Sequence, residues 1–353
     1  MSEHKFQQID IRFTKEHFKK TQFREIDGPE SAAKLIQSVY HGRDDIYAII
    51  GVNSAHYPQY MTYYTREQLM EELVSPDRLI KNALLHNTPQ TLAVHVQSHD
   101  IMEIKQNGID KYIRDNEENL FLKISGAFKT VGIEFMDIVN TPATGRYVDY
   151  NSLITSCPEL RNRFDYPAQV VRRIVNAPSK TVGDIDIELY GVKTVRENIN
   201  TPEDAIVYLG NALSNDTRES SWVIYLDRNY KPINYMNIGV GGINTAPVDL
   251  RIVSQAGILS GAKGMIFLHN HPSGITSSSE HDLVTTMQIH RMGNILDMPL
   301  CDSIIIPAGF KDNKKFKSLN EAGESYFSED YTPNYKRSEK YNISEGLYSV
   351  AER

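Results

Sequence analysis

The sequence predicts a mixed α/β layer fold, built twice in tandem. In residues 195–323, short β-branched and aromatic runs alternate with segments whose apolar residues recur at helical spacing. Residues 74–100 lie under residues 248–274 without a gap, setting Val74 against Val248, Leu84 against Ile258 and His95 against His269. The chain has 353 residues, 40% hydrophobic and 24% charged, which leaves room for two ordinary domains with real cores.

The elements of the C-terminal half follow in order. SSWVIYLD (220–227) is a strand that ends at the turn-like DRNYKP, and INYMNIGVGG is a second strand closed by two glycines. PVDLRIVSQAGILSGA has helical periodicity with Pro247 near its start. KGMIFLHNH reads as a buried strand, residues 279–295 as a helix and DSIIIPAG (302–309) as a further strand.

The N-terminal half repeats this order. TLAVHVQ meets MIFLHNH, DIYAIIGVNS falls near SWVIYLDRNY, and GPESAAKLIQ comes within one residue of TPEDAIVYLG. After a shift of nine residues, GIEFMDIVNT lies against DMPLCDSIII with Asp137 on Asp302. The expected organisation is one domain over 1–190, a second over 191–323 and a flexible polar tail over 324–353.

Composition excludes several classes. A net charge of −7 argues against broad, sequence-independent nucleic-acid binding and leaves only a local basic patch as a route to it. Cys157 and Cys301 are too few and too far apart for a disulfide framework or a thiolate zinc cluster. No segment reaches membrane-spanning length and the N-terminus has no apolar signal core, so a cytoplasmic protein is expected.

FLHNHPSGITSSSEHD (267–282) carries the chemistry. Alternation along a strand puts His269 and His271 on one face, about 7 Å apart. The serine run then opens a helix, and Ser279 and Asp282 share its first turn. Two histidines and an aspartate make a catalytic type of zinc set, with three protein ligands and one open position for water. Glu219, at the head of the strand SSWVIYLD, is the candidate acid/base for that water, and Ser279 the candidate oxyanion donor. Taken singly, each feature is ordinary: S-x-x-D caps helices, NHPSG makes turns, and a lone glutamate belongs on the surface. His281 and His290 are expected on the helix surface. In the N-terminal copy Gln97 replaces His271, and no serine and aspartate follow at matching spacing, so that copy is expected to lack the metal site.

HNHPSGITSSSEHD resembles the JAMM motif of the JAB/MPN metalloprotease family, in its RadC-like branch. The resemblance runs from TPEDAIVYL (201) to FKSLNEAG (316–323), and departs from the branch at VDLRI and CDS, outside the ligand set. It implies a cytidine-deaminase-like mixed sheet with flanking helices and one Zn2+, held by His269, His271 and Asp282. Glu219 would then be the acid/base and Ser279 the oxyanion stabiliser.

Two functions are in contention. One is a zinc-dependent hydrolase of amide or isopeptide bonds, acting on a peptide or protein conjugate, with a non-catalytic N-terminal copy. The other is a DNA-repair-associated or mobile-element-associated binding protein, against which the net charge weighs. Deamination is disfavoured, because zinc deaminases use two cysteine ligands and place a glutamate one residue from the histidine.

Overall fold

The computed structural model describes residues 5–13, 19–20, 24–40, 45–97, 110–143, 150–157, 160, 181–182, 185–194, 198–241, 248–310 and 316–322. The chain divides into an N-terminal unit, Phe13–Ile185, and a C-terminal unit, Asp186–Arg353 together with Met1–Arg12. The expected tail, 324–353, lies outside the described residues, as do residues 242–247, Pro247 among them, and 311–315.

The units divide at residues 185/186, near the expected 190, but the first strand, β1 (Lys5–Phe13), joins the C-terminal unit. It pairs in parallel with a strand of the C-terminal unit, Gln7 against Asn234 and Gln8 against Tyr235. Burial explains the placement. Phe6 is fully buried, with ring centroids 5.0 Å from Tyr208 and 4.6 Å from Tyr235. A pattern of strands read along the sequence cannot show which distant edge a strand will join.

In the N-terminal unit, β2 (Lys19–Lys20) pairs with β8 (Thr181–Val182). Helix α1 (Pro29–Val39) has proline in its first turn, where the missing N–H costs nothing. Next come β3 (Ile46–Val52), β4 (Pro58–Thr65), α2 (Arg66–Glu72), α3 (Asp77–Leu85) and β5 (Gln90–Gln97). After these come α4 (Asp110–Lys129), β6 (Glu134–Pro142), β7 (Asn151–Ser152) and α5 (Leu153–Ser156). The sheet order is β4-β3-β5-β6-β7, with only the β5–β6 pair parallel.

The C-terminal unit contains β9 (Ile185–Thr194), α6 (Pro202–Ser214), β10 (Ser220–Leu226), β11 (Pro232–Val240) and α7 (Leu250–Ser260). It continues with β12 (Gly264–His271), α8 (Glu280–Ile295), β13 (Leu300–Pro307) and β14 (Lys317–Ser318). Its sheet order is β14-β13-β12-β10-β11-β1-β9, with β12–β13 and β1–β11 parallel. Without β1 and β9, the five remaining strands repeat the topology and strand directions of the N-terminal sheet. Tandem duplication therefore reads directly from the two sheets.

One side-chain clasp appears in both units. Ser152 Oγ donates to Asp137 Oδ2 at 2.5 Å and Ile154 N donates to Oδ1 at 3.0 Å. Likewise Ser318 Oγ donates to Asp302 Oδ2 at 2.7 Å and Asn320 N to Oδ1 at 3.1 Å. The aspartates are the pair aligned in the sequence, and each anchors the segment that follows its sheet.

Strand alternation divides the C-terminal unit into two faces. Ile224, Leu226, Ile266, Leu268, Ile304 and Ile306 form one core with Ala205, Ile206, Leu209 and Leu213 of α6. The opposite face carries Tyr225, whose hydroxyl donates to the Val253 carbonyl of α7 at 3.0 Å. Odd-numbered positions of β12 point there, which sends His269 and His271 toward α7 and α8 and Asn270 toward α6. Helix α8 sits close to the sheet: a Cβ on Gly293 would lie 3.0 Å from Met265 Cε of β12.

Candidate metal centre

The centre forms where the C-terminal end of β12 meets the first turn of α8. Ser279 is the helix N-cap, with an extended backbone (φ −80°, ψ 165°). The hydroxyl of Ser279 accepts from Asp282 N at 3.2 Å and donates to Asp282 Oδ2 at 2.8 Å, and its backbone N donates to the same oxygen at 2.7 Å. These bonds turn the Asp282 carboxylate toward the strand. Its Oδ1 lies 3.3 Å from His269 Nε2 and its Oδ2 lies 3.4 Å from His271 Nε2. The two Nε2 atoms are 3.1 Å apart.

His271 has its tautomer set from outside: its Nδ1 lies 2.7 Å from the Ile275 carbonyl, so Nδ1 carries a proton and Nε2 turns a lone pair inward. His269 Nδ1 is buried and has no hydrogen-bond partner among the described residues. His269 and Asp282 are buried, and His271 is half-buried. For His271, burial lowers the pKa, but hydrogen bonds to Asp282 and to the Ile275 carbonyl and the charges of Asp282 and Glu219 raise it overall. For Asp282, burial raises the pKa, but the two histidines outweigh it and hold the carboxyl far below the usual carboxylate range.

Two imidazole nitrogens facing one another with a carboxylate between them are a poor arrangement without a cation. Their donor atoms all lie within 4.8 Å of one another, and among the described residues no other group of three His, Cys, Asp or Glu does so. Zinc bonds of about 2.0–2.2 Å at tetrahedral angles separate neighbouring donors by roughly 3.3–3.5 Å, close to the spacings seen here. The N/N/O set thus fits a divalent zinc-type ion and leaves a coordination position for a non-protein ligand.

Glu219 immediately precedes β10 and is buried. Ser221 pairs with His269, and Glu219, two residues earlier, lies near enough for its charge to act on His271. Gly241 N donates to its carbonyl at 2.9 Å. All five residues singled out from the sequence therefore gather at one strand end. The Ser279 hydroxyl hydrogen is given to Asp282. His281 is exposed as expected, but His290 is buried, 3.1 Å from Asn294 Nδ2. It lies on the inner face of α8, a correction that follows from the helix phase.

Asn270, between the two histidines, was not singled out by the sequence motif. It is fully buried on the α6 face, where its Oδ1 accepts from Ser220 N at 2.7 Å and Ser220 Oγ at 3.1 Å. Its Nδ2 donates to the Arg218 carbonyl at 2.9 Å and to that of Asp216 at 3.4 Å. These bonds bracket Glu219. A buried polar residue within an apolar strand was the available signal.

A family profile described as "RadC-like JAB domain" matches residues 199–324. The chain is 36% identical over 119 residues to a UPF0758 protein of Coprothermobacter proteolyticus, covering 32% of this chain and 51% of that protein. It is 34% identical over 110 residues to a UPF0758 protein of Flavobacterium johnsoniae (31% and 48%) and 33% identical over 131 residues to one of Staphylococcus carnosus (37% and 55%). The chain thus spans about half the length of these relatives. The matched segment takes in α6, β10, the H-x-H strand, the S-x-x-D helix start and the clasp at Asp302, and over residues 199–324 the chain is similar to RadC-like JAB domains.

Proposed function

We propose that the C-terminal unit is a zinc-dependent hydrolase of amide or isopeptide bonds. The observation that carries this reading is the convergence of His269 Nε2, His271 Nε2 and both Asp282 oxygens on one point. His269, His271 and Asp282 would hold the ion, and zinc when bound supplies a Lewis acid and an acidified water.

The remaining chemistry belongs to the chain. Glu219 takes the proton of the attacking water and delivers it to the leaving nitrogen, so that one carboxylate serves as base and then as acid. Its burial keeps that proton from bulk solvent. Ser279 is exposed, and rotation of its hydroxyl away from Asp282 would offer a hydrogen bond to a developing oxyanion. Asn270 positions Glu219 through the 216–220 segment.

A peptide or protein conjugate remains the proposed substrate class. The test loads the full chain with zinc and screens peptide and isopeptide substrates beside Glu219→Gln. Cleavage that requires Glu219 supports the reading, and a chain that retains no metal with His269, His271 and Asp282 intact overturns it.

A further inference from the structure

The two units share a frame but not a centre. The displacement that sets His95 on His269 also sets Asp45 on Glu219, and the one that sets Asp137 on Asp302 sets Glu117 on Asp282. The strand registers agree: Tyr47 pairs with His95 as Ser221 pairs with His269, and Gln97 pairs with Pro142 as His271 pairs with Pro307. The N-terminal unit therefore has an acid at both acidic positions, although no serine and aspartate follow His95 at the spacing seen after His269.

Two replacements change the chemistry: Gln97 for His271, and Tyr47 for Ser221. The Tyr47 ring stacks on His95, with centroids 4.0 Å apart and planes 12° from parallel. Its hydroxyl donates to Glu117 Oε1 at 2.6 Å and accepts from Arg66 Nη1 at 2.9 Å. His95 is held across the gap. Its Nε2 lies 3.0 Å from Asp45 Oδ1, and its Nδ1 lies 3.1 Å from Glu117 Oε1 and 3.0 Å from Asn140 Oδ1. Both ring nitrogens thus have oxygen acceptors nearest to them; the Gln97 amide nitrogen lies farther from Nδ1, at 3.3 Å, and donates to Asn140 Oδ1 at 2.9 Å. A neutral imidazole would turn a lone pair toward one of them, whereas an imidazolium donates to both sides.

We propose that the His95 imidazolium fastens α4 to the central strand of the N-terminal unit, at the position where the C-terminal unit gathers metal-ligand side chains. A proton there does the work of a metal crosslink, and α4 loosens when it leaves.

The charges facing His95 are Asp45 from the segment before β3, Tyr47 from β3, Glu117 from α4 and Arg66 from α2; Asn140 and Gln97 are neutral. With His95 charged, two carboxylates meet two cations. Without its proton, buried Glu117 keeps Arg66 Nη1 at 4.0 Å as its cation, and Glu117 Oε2 has no hydrogen-bond partner among the described residues. Burial lowers the His95 pKa, but the hydrogen bonds and charges of Glu117 and Asp45 outweigh it and raise it overall. Tyr47 is pushed up by burial and by Glu117, so it stays protonated. A histidine raised on folding contributes stability that is complete below its ordinary pKa of about 6.5 and lost as pH rises through the raised value.

Hydrogen exchange on the full chain tests this, followed by mass spectrometry from about pH 6 to about pH 9 and corrected for intrinsic rates. Protection of residues 116–129 should fall with a midpoint above about 6.5, by about tenfold for each unit by which the midpoint exceeds that value. A chelator should leave this protection unchanged. His95→Gln should remove the pH dependence, and Asp45→Asn, at an exposed position, should move the midpoint down. If His95→Gln fails to fold, imidazole NMR titration of His95 in the unmodified chain carries the test. A midpoint at or below 6.5, protection that is flat with pH, or its loss on chelation overturns the proposal.

Discussion

Asn270 Oδ1 accepts a hydrogen bond from Ser220 N at 2.7 Å, joining the residue between the two histidines to the residue after Glu219. The amide sits on the sheet face opposite the His269 and His271 side chains. One strand thus presents the two imidazoles on one side and holds the segment carrying Glu219 from the other. Asn270→Ala should leave the ligand set whole but orphan Ser220 N and the Arg218 carbonyl, at about 1–3 kcal/mol per buried group. Denaturant unfolding should read that loss, and metal analysis should show unchanged stoichiometry.

Metal binding and proton transfer should separate by mutation. His269→Ala and His271→Ala each remove a ligand, so bound zinc should fall from one per chain to near zero by elemental analysis. Glu219→Gln should keep the zinc and lower turnover by roughly 10²–10⁴-fold, the usual contribution of a positioned acid/base.

Ser279→Ala distinguishes two roles for one hydroxyl. Loss of the cap should cost about 1 kcal/mol. Loss of the bond to Asp282 should weaken zinc binding by about 10–100-fold, as for other residues that orient a ligand. If the hydroxyl also serves the oxyanion, turnover at saturating zinc should drop by about 10²–10³-fold. Zinc titration and turnover at saturating zinc read the two effects independently.

The duplicated clasps predict matched losses. Ser152→Ala and Ser318→Ala each remove a hydroxyl donor from a carboxylate, worth about 1.5–3 kcal/mol. Hydrogen exchange should show loosening in the unit that carries the substitution.

Burial and the neighbouring Asp302 push the Cys301 thiol up to about 12, against the lowering effect of a backbone hydrogen bond from Met265. A thiol with a raised pKa stays protonated below that value, and the thiolate is the reactive form. Alkylation of Cys301 in the folded chain should therefore stay negligible from about pH 7 to about pH 9 and appear only on unfolding, followed by peptide mass spectrometry.

The sequence by itself determined the His269, His271, Ser279 and Asp282 cluster and the repeated strand order, because both rest on local rules. Alternation along a strand puts His269 and His271 on one face, and a helix's first turn brings Ser279 and Asp282 together. Tertiary structure decided what depends on distant partners. It carried β1 to the edge of β11, because Phe6 finds its buried contacts against Tyr208 and Tyr235. It turned the Ser279 hydroxyl to Asp282 and enclosed Glu219 beside His271. It also revealed Glu117 as the counterpart of Asp282. The register that aligns the central strands shifts by nine residues before the next strand, so the linear comparison at His95 passes over α4. Side chains that meet across a shifted register share no fixed spacing, and only the packing of α4 on the sheet, chiefly over β6, brings Glu117 to His95.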